Sequence, residues 1–144
     1  ILKWFYSIFD HYLKWNKTGE FTMDINSIWV NEMKAGDYNP VHIHQGKLYT
    51  GLSSVMFLKL PKDMGPELTR PDQPMNGKLQ ILGSANGQFV TSDYSPEAVI
   101  GDFYVFPYDI RHVVYPFTNK KEKRRTLVCN CDVGYDPVAS RTAK

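Results

Sequence analysis

Three histidines have the residue type and the spacing of a metal site: His42, His44 and His112. His42 and His44 stand two positions apart in an extended segment. Alternate side chains of a strand point to the same side, so both imidazoles can reach one ion. A third imidazole from a distant strand would complete one face of ligands and leave the opposite positions open, as catalytic metal sites require. The spacing therefore predicts a reactive metal held by His42, His44 and His112.

The elements that must position these histidines follow from the periodicity of the apolar residues. Apolar side chains recur at three-to-four-residue intervals over residues 1–15, which predicts an amphipathic helix that lies on a sheet. From Ile25 onward the sequence consists of short runs rich in Val, Ile, Phe and Tyr, separated by Gly, Pro, Asn and Asp. These runs predict strands over Ile25–Met33, Val41–His44, Ser53–Leu60, Lys78–Leu82, Gln88–Thr91, Phe103–Phe106, His112–Tyr115 and Thr126–Asp132.

One helix followed by about eight short strands indicates a mainly β fold, a helix-backed sandwich or barrel of the jelly-roll type. Antiparallel sandwiches bring strand ends together in the mouth between their sheets, where the three histidines could converge. The 144 residues are 42% hydrophobic and 14% aromatic, so we expect a single domain over 1–144. The proline-rich segment 61–76 is expected to be an irregular connection, either a binding lid or disordered.

The charge balance and the N-terminus exclude several classes of partner. Seventeen Lys and Arg against fifteen Asp and Glu give a net charge of only +2, so we expect neither nucleic acid nor a membrane surface as partner. The first residues lack the uninterrupted apolar run of a signal sequence or a membrane span, because charged or polar residues break it at Lys3, Asp10, His11 and Lys14. The chain begins at Ile1 rather than Met, so we expect residues upstream.

The cysteine usage indicates a reducing compartment. Cys129 and Cys131 lie two apart on one predicted strand, a separation too wide for relaxed disulfide geometry. We expect both to be buried free thiols in a cytoplasmic protein.

Further motifs accompany the histidines in a fixed order. His-x-His is followed by Leu-Ser-Ser-Val at 52–55, by Gly-Asp-Phe-Tyr-Val-Phe-Pro at 101–107 before His112, and by an arginine and an asparagine at 124 and 130. Together these motifs resemble the small bacterial and phage branch of the Fe(II) and 2-oxoglutarate dependent oxygenases, whose fold is a double-stranded β-helix and whose best-known relatives are prolyl hydroxylases. The resemblance implies iron held by the three histidines and a cosubstrate carboxylate bound by an arginine on the strand after His112. A phage-encoded member would act in the cytoplasm of a bacterial host.

Two adjacent arginines are candidates for binding the far carboxylate of 2-oxoglutarate. The bidentate guanidinium fork suits this carboxylate. On an alternating strand Arg124 shares a side with Thr126, Val128 and Asn130, whereas Arg125 shares a side with Leu127 and the two cysteines. The first set is more polar and suits a wet interior, so we choose Arg124. Arg125 is then expected to be an exposed or snorkelling side chain.

The ligand set departs from that of most of the superfamily, which has Asp or Glu where His44 stands. The common triad of these oxygenases is two histidines and one carboxylate. Three neutral imidazoles would leave the charge of the ion uncompensated by the protein and favour a dianionic cosubstrate. Alternatively, His44 points away and a nearby carboxylate such as Asp37 replaces it. Four further residues, Tyr49, Ser54, Tyr104 and Asn130, could hydrogen-bond the cosubstrate from neighbouring strands, or be ordinary packing residues.

The first functional hypothesis is an Fe(II) and 2-oxoglutarate dependent dioxygenase that hydroxylates a C–H bond with O2 and releases succinate and CO2. Its substrate would be a peptide, a protein or a small molecule, and the resemblance suggests a prolyl residue. A second hypothesis is a cupin-like protein that uses the same histidines for zinc, nickel or manganese in isomerisation or storage. A third is a noncatalytic binding protein. An arginine beyond the last histidine favours the first hypothesis, because a cupin does not need one.

Overall fold

The computed structural model describes residues 1–16, 19–68 and 71–135. Within this part of the chain one helix precedes nine strands, and the fold is mainly β, as the sequence predicted. The helix is α1, Leu2–Trp15. The strands are β1 Phe21–Met33, β2 Asn39–His42, β3 Gly51–Lys59, β4 Leu79–Leu82, β5 Asn86–Gly87, β6 Val90–Thr91, β7 Phe103–Pro107, β8 Arg111–Val114 and β9 Arg124–Tyr135.

Helix α1 forms where the apolar spacing predicted it. Phe5, Phe9 and Leu13 lie four residues apart, so they occupy one face and are buried. The helix ends at Trp15, and the side-chain amide of the following residue, Asn16, donates to the Tyr12 carbonyl oxygen at 2.8 Å. In the described ranges no helix combines the length and the apolar character needed to cross a bilayer.

The strands form two main antiparallel sheets. The larger sheet has the order β1-β9-β3-β7, the smaller has the order β2-β8-β4, and β5 pairs with β6 in a separate hairpin. One cluster of buried side chains joins α1 to the outer face of the larger sheet. A second cluster lies between the two main sheets and includes Val55 and Phe57 of β3, Leu79 of β4 and Val114 of β8. The architecture is a jelly roll, a double-stranded β-helix, with the N-terminal helix on its outer face.

Strand β9 separates these two clusters by the alternation of its side chains. Leu127, Cys129 and Cys131 pack in the cluster under α1. Thr126 and Val128, which alternate with these residues along the strand, face the space between the sheets. Both cysteines are buried free thiols, as expected.

Several element boundaries differ from the prediction. The predicted strand Gln88–Thr91 begins two residues too early: β6 covers only Val90–Thr91, and Gln88 and Phe89 form the turn that joins it to β5. The strand expected over Val41–His44 ends at His42, so His44 lies beyond the last ladder pair. The backbone of His44 is nevertheless fixed, because its amide donates to the Tyr108 carbonyl oxygen at 2.9 Å.

The proline-rich connection is tied to the body of the protein in its described residues, 61–68 and 71–76. The side-chain amide of Asn119 donates to the Asp63 carbonyl oxygen at 2.7 Å, and the Thr118 backbone amide donates to the Met64 carbonyl oxygen at 2.9 Å. Met64 itself packs against the cluster between the sheets. None of these described residues lines the cavity that contains the histidines.

The packing of α1 makes a stability prediction. Phe9 is 0% exposed, so Phe9→Ala should lower the free energy of unfolding by about 3–5 kcal/mol through lost burial and the cavity left behind. Ser7→Ala on the exposed face of the same helix should change it by less than about 0.5 kcal/mol. Urea denaturation monitored by circular dichroism measures both. Equal effects of the two substitutions would show that α1 is not part of the core.

Candidate metal centre

The structure brings the three predicted histidines together at one end of the smaller sheet. His42 is the last residue of β2 and lies directly opposite His112 of β8 in the strand register. His44 follows two residues later, and its Nε2 atom is 3.1 Å from Nε2 of His112. One nitrogen from each ring lies within 4.8 Å of those of the other two rings. A single cation could therefore contact all three imidazoles.

Backbone carbonyl groups fix two of the three rings. Nδ1 of His42 lies 2.6 Å from the Pro40 carbonyl oxygen, and Nδ1 of His112 lies 3.0 Å from that of Ile110. A carbonyl oxygen can only accept, so Nδ1 carries the proton in both rings. Nε2 of each ring then has a free lone pair, and a metal ion binds imidazole through such a nitrogen.

The third ring, His44, has a side-chain partner instead. The Asn130 amide nitrogen is 3.3 Å from Nδ1 of His44. The oxygen of the same amide accepts a hydrogen bond from the Ser53 hydroxyl at 2.8 Å. Asn130 and Ser53 are both buried, at 5% and 0% exposure, so solvent does not compete for this chain of contacts.

A buried carboxylate holds the segment that follows His44. Asp132 is 3% exposed and accepts hydrogen bonds from four donors. These are the backbone amides of Lys47 at 2.9 Å and Leu48 at 3.2 Å, the Asn26 side chain at 2.9 Å and the Tyr108 hydroxyl at 3.1 Å. Because charge-assisted hydrogen bonds are the stronger kind, Asp132 limits the freedom of the 44–48 segment and therefore of the His44 ring.

The electrostatics of the site keep two of its imidazoles, those of His44 and His112, neutral. Burial, reinforced by the neighbouring histidines, lowers the pKa of His44 from 6.5 to about 4. Burial also lowers the pKa of His112 to about 4, against the opposing effect of its hydrogen bond to Ile110. At neutral pH both rings are therefore uncharged and able to donate a lone pair to a metal.

The histidines open into a cavity of about 400 Å³ between the two sheets. Apart from the imidazoles, its walls carry one charged side chain, Arg124, and a few polar ones, among them Asn31, Asn39 and Thr126. The rest of the described lining is apolar or small: Trp29, Pro40, Ser53, Ser54, Val55, Leu79, Phe106, Val114 and Val128.

Arg124 is a buried cation in the wall of this cavity. It is 1% exposed, its Nη1 atom lies 3.7 Å from the Met33 sulfur, and its guanidinium carbon lies 5.2 Å from the centre of the Phe57 ring. Its Nε and Nη2 atoms have no hydrogen-bond partner among the residues described. Burial lowers the pKa of Arg124 to about 10, so the group stays charged at neutral pH. Two unpaired donor atoms on a buried cation are rare, so Arg124 is a candidate for binding an anion.

The neighbouring arginine lies outside the cavity. Arg125 is exposed, and its Nε atom forms an ion pair with Glu32 at 2.5 Å. The alternation of side chains along β9 separates the two arginines, as the sequence predicted.

The other predicted site residues are placed differently. Ser54 contributes to the cavity wall, but its hydroxyl donates to the Cys129 carbonyl oxygen at 3.1 Å. Tyr49 is 86% exposed, and the Tyr104 hydroxyl donates to Asp102 at 3.3 Å; neither residue lines the cavity. The carboxylate of Asp37 accepts from the Lys34 backbone amide at 2.8 Å in an exposed turn.

Some residues at the site were not singled out from the sequence. Ser53 was overlooked in favour of Ser54, although Ser53 shares a strand face with Val55 and Phe57 and so points between the sheets. Trp29 is 39% exposed at the cavity, with its ring centre 6.4 Å from that of His44. No sequence signal distinguishes such an aromatic from a core residue.

The lowered pKa values predict how stability depends on pH in the metal-free protein. The unfolded state binds protons at its histidines near pH 6.5, whereas the folded state resists protonation of His44 and His112 until about pH 4. The free energy of unfolding should therefore fall as the pH drops from about 6.5 towards 5. Hydrogen bonds from Lys123 and Arg125 lower the pKa of Glu32 to about 2, so its contribution is lost only at more acidic pH.

Urea denaturation across this pH range tests the prediction. His112→Gln should make the fall shallower, whereas His11→Gln on the exposed face of α1 should leave it unchanged. A free energy of unfolding that stays constant between pH 7 and pH 5 would contradict the assignment of buried neutral imidazoles.

Comparison with known proteins assigns the chain to a family. A solved structure of an RmlC-like cupin protein from Desulfovibrio desulfuricans is 20% identical and covers 77% of this chain and 81% of its own, with a TM-score of 0.40. No curated protein matches the chain. The family model described as "Putative 2OG-Fe(II) oxygenase" matches residues 27–130, which include the three histidines, Arg124 and Asn130. The chain belongs to this 2OG-Fe(II) oxygenase family.

Proposed function

We propose that this protein is an Fe(II) and 2-oxoglutarate dependent dioxygenase that hydroxylates a C–H bond of its substrate and releases succinate and CO2. Family membership supports the reaction class. The observation that carries the proposal is the shared cavity, in which three clustered imidazoles and a buried cation with two free donors face the same space.

The three histidines fit Fe(II) by the chemistry of their donor atoms. Imidazole nitrogen is a good ligand for ferrous iron, and the backbone bonds of His42 and His112 already present the Nε2 lone pairs. Because all three ligands are neutral, the protein leaves the charge of the ion uncompensated. A dianionic chelating cosubstrate would balance this charge.

Arg124 fits the far carboxylate of 2-oxoglutarate. Nε and Nη2 form one edge of the planar guanidinium, and this edge can donate two parallel hydrogen bonds to a carboxylate. Both donors are unpaired among the described residues, so a carboxylate would satisfy them and offset the desolvation of the buried charge. Arg125 cannot take this role, because it is exposed and paired with Glu32.

The chain positions the reactants and keeps water away from them. Iron with 2-oxoglutarate and O2 supplies an oxidant able to attack an unactivated C–H bond. Apolar side chains of the cavity wall, Val55, Leu79, Phe106, Val114 and Val128, would limit the access of bulk water to that chemistry. The protein would therefore hold the iron, orient the cosubstrate and the substrate, and exclude bulk water.

The cavity also limits the part of the substrate that enters it. Arg124 is the one permanently charged side chain of the described lining, and the cosubstrate would neutralise it. The reacting part of the substrate is then uncharged. A prolyl residue meets this requirement, and the resemblance to prolyl hydroxylases makes proline-containing peptides the first substrates to test.

Turnover of the cosubstrate tests the reaction class. With Fe(II), ascorbate and air, the protein should convert 2-oxoglutarate to succinate, and His112→Ala and Arg124→Met should reduce this at least about 100-fold. Arg125→Met is the matched control and should keep most of the activity. A protein that binds metal through the same histidines but neither binds nor converts 2-oxoglutarate would instead be a cupin-like protein of another class.

The buried charge of Arg124 makes a second prediction, about stability. Without ligand, replacing an uncompensated buried cation by an apolar chain of similar length should stabilise the fold, so Arg124→Met should raise the free energy of unfolding by roughly 1–4 kcal/mol while abolishing 2-oxoglutarate binding. Arg125→Met should neither raise the free energy of unfolding nor abolish 2-oxoglutarate binding. Urea denaturation and calorimetry of 2-oxoglutarate binding to the Mn(II) protein measure the two effects. A destabilised Arg124→Met variant that still bound 2-oxoglutarate would contradict the role proposed for Arg124.

A further inference from the structure

The hydrogen-bond partners of the three histidines are not equivalent. The partners of His42 and His112 are carbonyl oxygens, which can only accept, so these rings have one possible neutral tautomer. The partner of His44 is the side-chain amide of Asn130, which can donate through its nitrogen or accept through its oxygen. The tautomer of His44 therefore depends on which way this amide faces.

The contacts of the described structure form one consistent chain of donors and acceptors. The Ser53 hydroxyl donates to the Asn130 oxygen at 2.8 Å, which directs the amide nitrogen towards Nδ1 of His44 at 3.3 Å. Nδ1 must then accept, and the His44 proton sits on Nε2. From there it points at Nε2 of His112, 3.1 Å away, which holds a lone pair because the His112 proton is on Nδ1.

A metal ion on His44 is incompatible with this arrangement. Coordination through Nε2 needs the lone pair on that atom, so a neutral His44 must carry its proton on Nδ1. That proton would face the donating nitrogen of Asn130, and two facing donors repel each other. If the amide turns over, its oxygen accepts from His44 and its nitrogen donates to the Ser53 hydroxyl oxygen, which can accept as well as donate.

We propose that Asn130 is a positioning residue whose amide turns over when metal binds, so that it sets which nitrogen of His44 carries the proton. The inference depends on the metal site proposed above. The proton moves from Nε2 to Nδ1 of the same ring through exchange with solvent, so His44 stays neutral and no net proton is released. Ser53 accommodates both orientations by rotating its hydroxyl.

An aspartate in place of Asn130 would remove the choice between a donating and an accepting group beside His44. Both of its oxygens accept, so one can take the Ser53 proton while the other holds His44 with its proton on Nδ1, the form that binds metal. Outer partners of ligating histidines typically change metal affinity about 10–100-fold. Asn130→Asp should therefore bind Zn(II) at least about tenfold more tightly than the unaltered protein, and Asn130→Leu at least about tenfold more weakly.

The matched control separates this effect from simple attraction between opposite charges. Asn31 also lies in the cavity wall, and none of its described contacts involves a histidine. Asn31→Asp adds the same negative charge without touching His44, so any gain common to both aspartates is electrostatic. The proposal requires that Asn130→Asp bind Zn(II) more tightly than Asn31→Asp, as measured by competition with a chromogenic chelator.

Nitrogen-15 NMR of the imidazoles reads the tautomers directly, without any activity measurement. In the metal-free protein, His44 should carry its proton on Nε2 while His42 and His112 carry theirs on Nδ1; Zn(II) should move the His44 proton to Nδ1. In Asn130→Asp the proton should already be on Nδ1 before metal is added. Folding of each variant is checked in the same spectra.

The two possible failures are distinguishable. If Zn(II) perturbs none of the three imidazoles, both the metal centre and this inference are wrong. If Zn(II) binds all three rings but the His44 proton is on Nδ1 from the start, or Asn130→Asp binds no more tightly than Asn31→Asp, the metal centre stands and the role of Asn130 is overturned.

Discussion

The alternation of side chains along β9 is the constraint on which the rest of the site depends. This strand is paired on both sides, with β1 and with β3, so its register is fixed by two ladders. Arg124 and Thr126 face the cavity, Asn130 reaches His44, and Asp132 holds the segment after His44. A slip of one residue would turn all four away and expose the helix-facing cysteines to the cavity. One strand thus supplies the buried cation, the partner of a proposed metal ligand and the residue that anchors the segment after it.

The distribution of charge in the cavity explains why these parts belong together. Arg124 is cationic and no described carboxylate lines the wall, so a bound metal would add to a positive charge that the cavity does not offset. A ligand with two negative groups, one at the metal and one at Arg124, would balance both. The site is therefore better matched to a dianion than to a neutral metal ligand such as water. Under the proposed function, the bound cosubstrate would offset the cost of the unpaired guanidinium of Arg124.

The sequence predicts the site best where the chemistry of a side chain and its position in the alternating pattern of a strand point to the same face. Side-chain alternation predicts, without tertiary information, that His42 and His44 share one side and that Arg124 and Arg125 face opposite ways. His44 nevertheless lies beyond the end of β2, and the approach of His112 depends on the pairing of β2 with β8. The positions of Tyr49 and Tyr104 could not be predicted, because a tyrosine fits a core, a surface or a pocket equally well. The contact of Asn130 with His44 depends on an approach between residues 86 positions apart, which only the paired sheets reveal.

A crystal structure of the protein with Mn(II) and 2-oxoglutarate, prepared without oxygen, tests the central claim most directly. The account predicts a metal bound to one nitrogen each of His42, His44 and His112, with 2-oxoglutarate completing its sphere. The far carboxylate should accept hydrogen bonds from Nε and Nη2 of Arg124. A metal bound elsewhere, a sphere closed by further protein ligands, or a guanidinium still without an anionic partner would contradict the account.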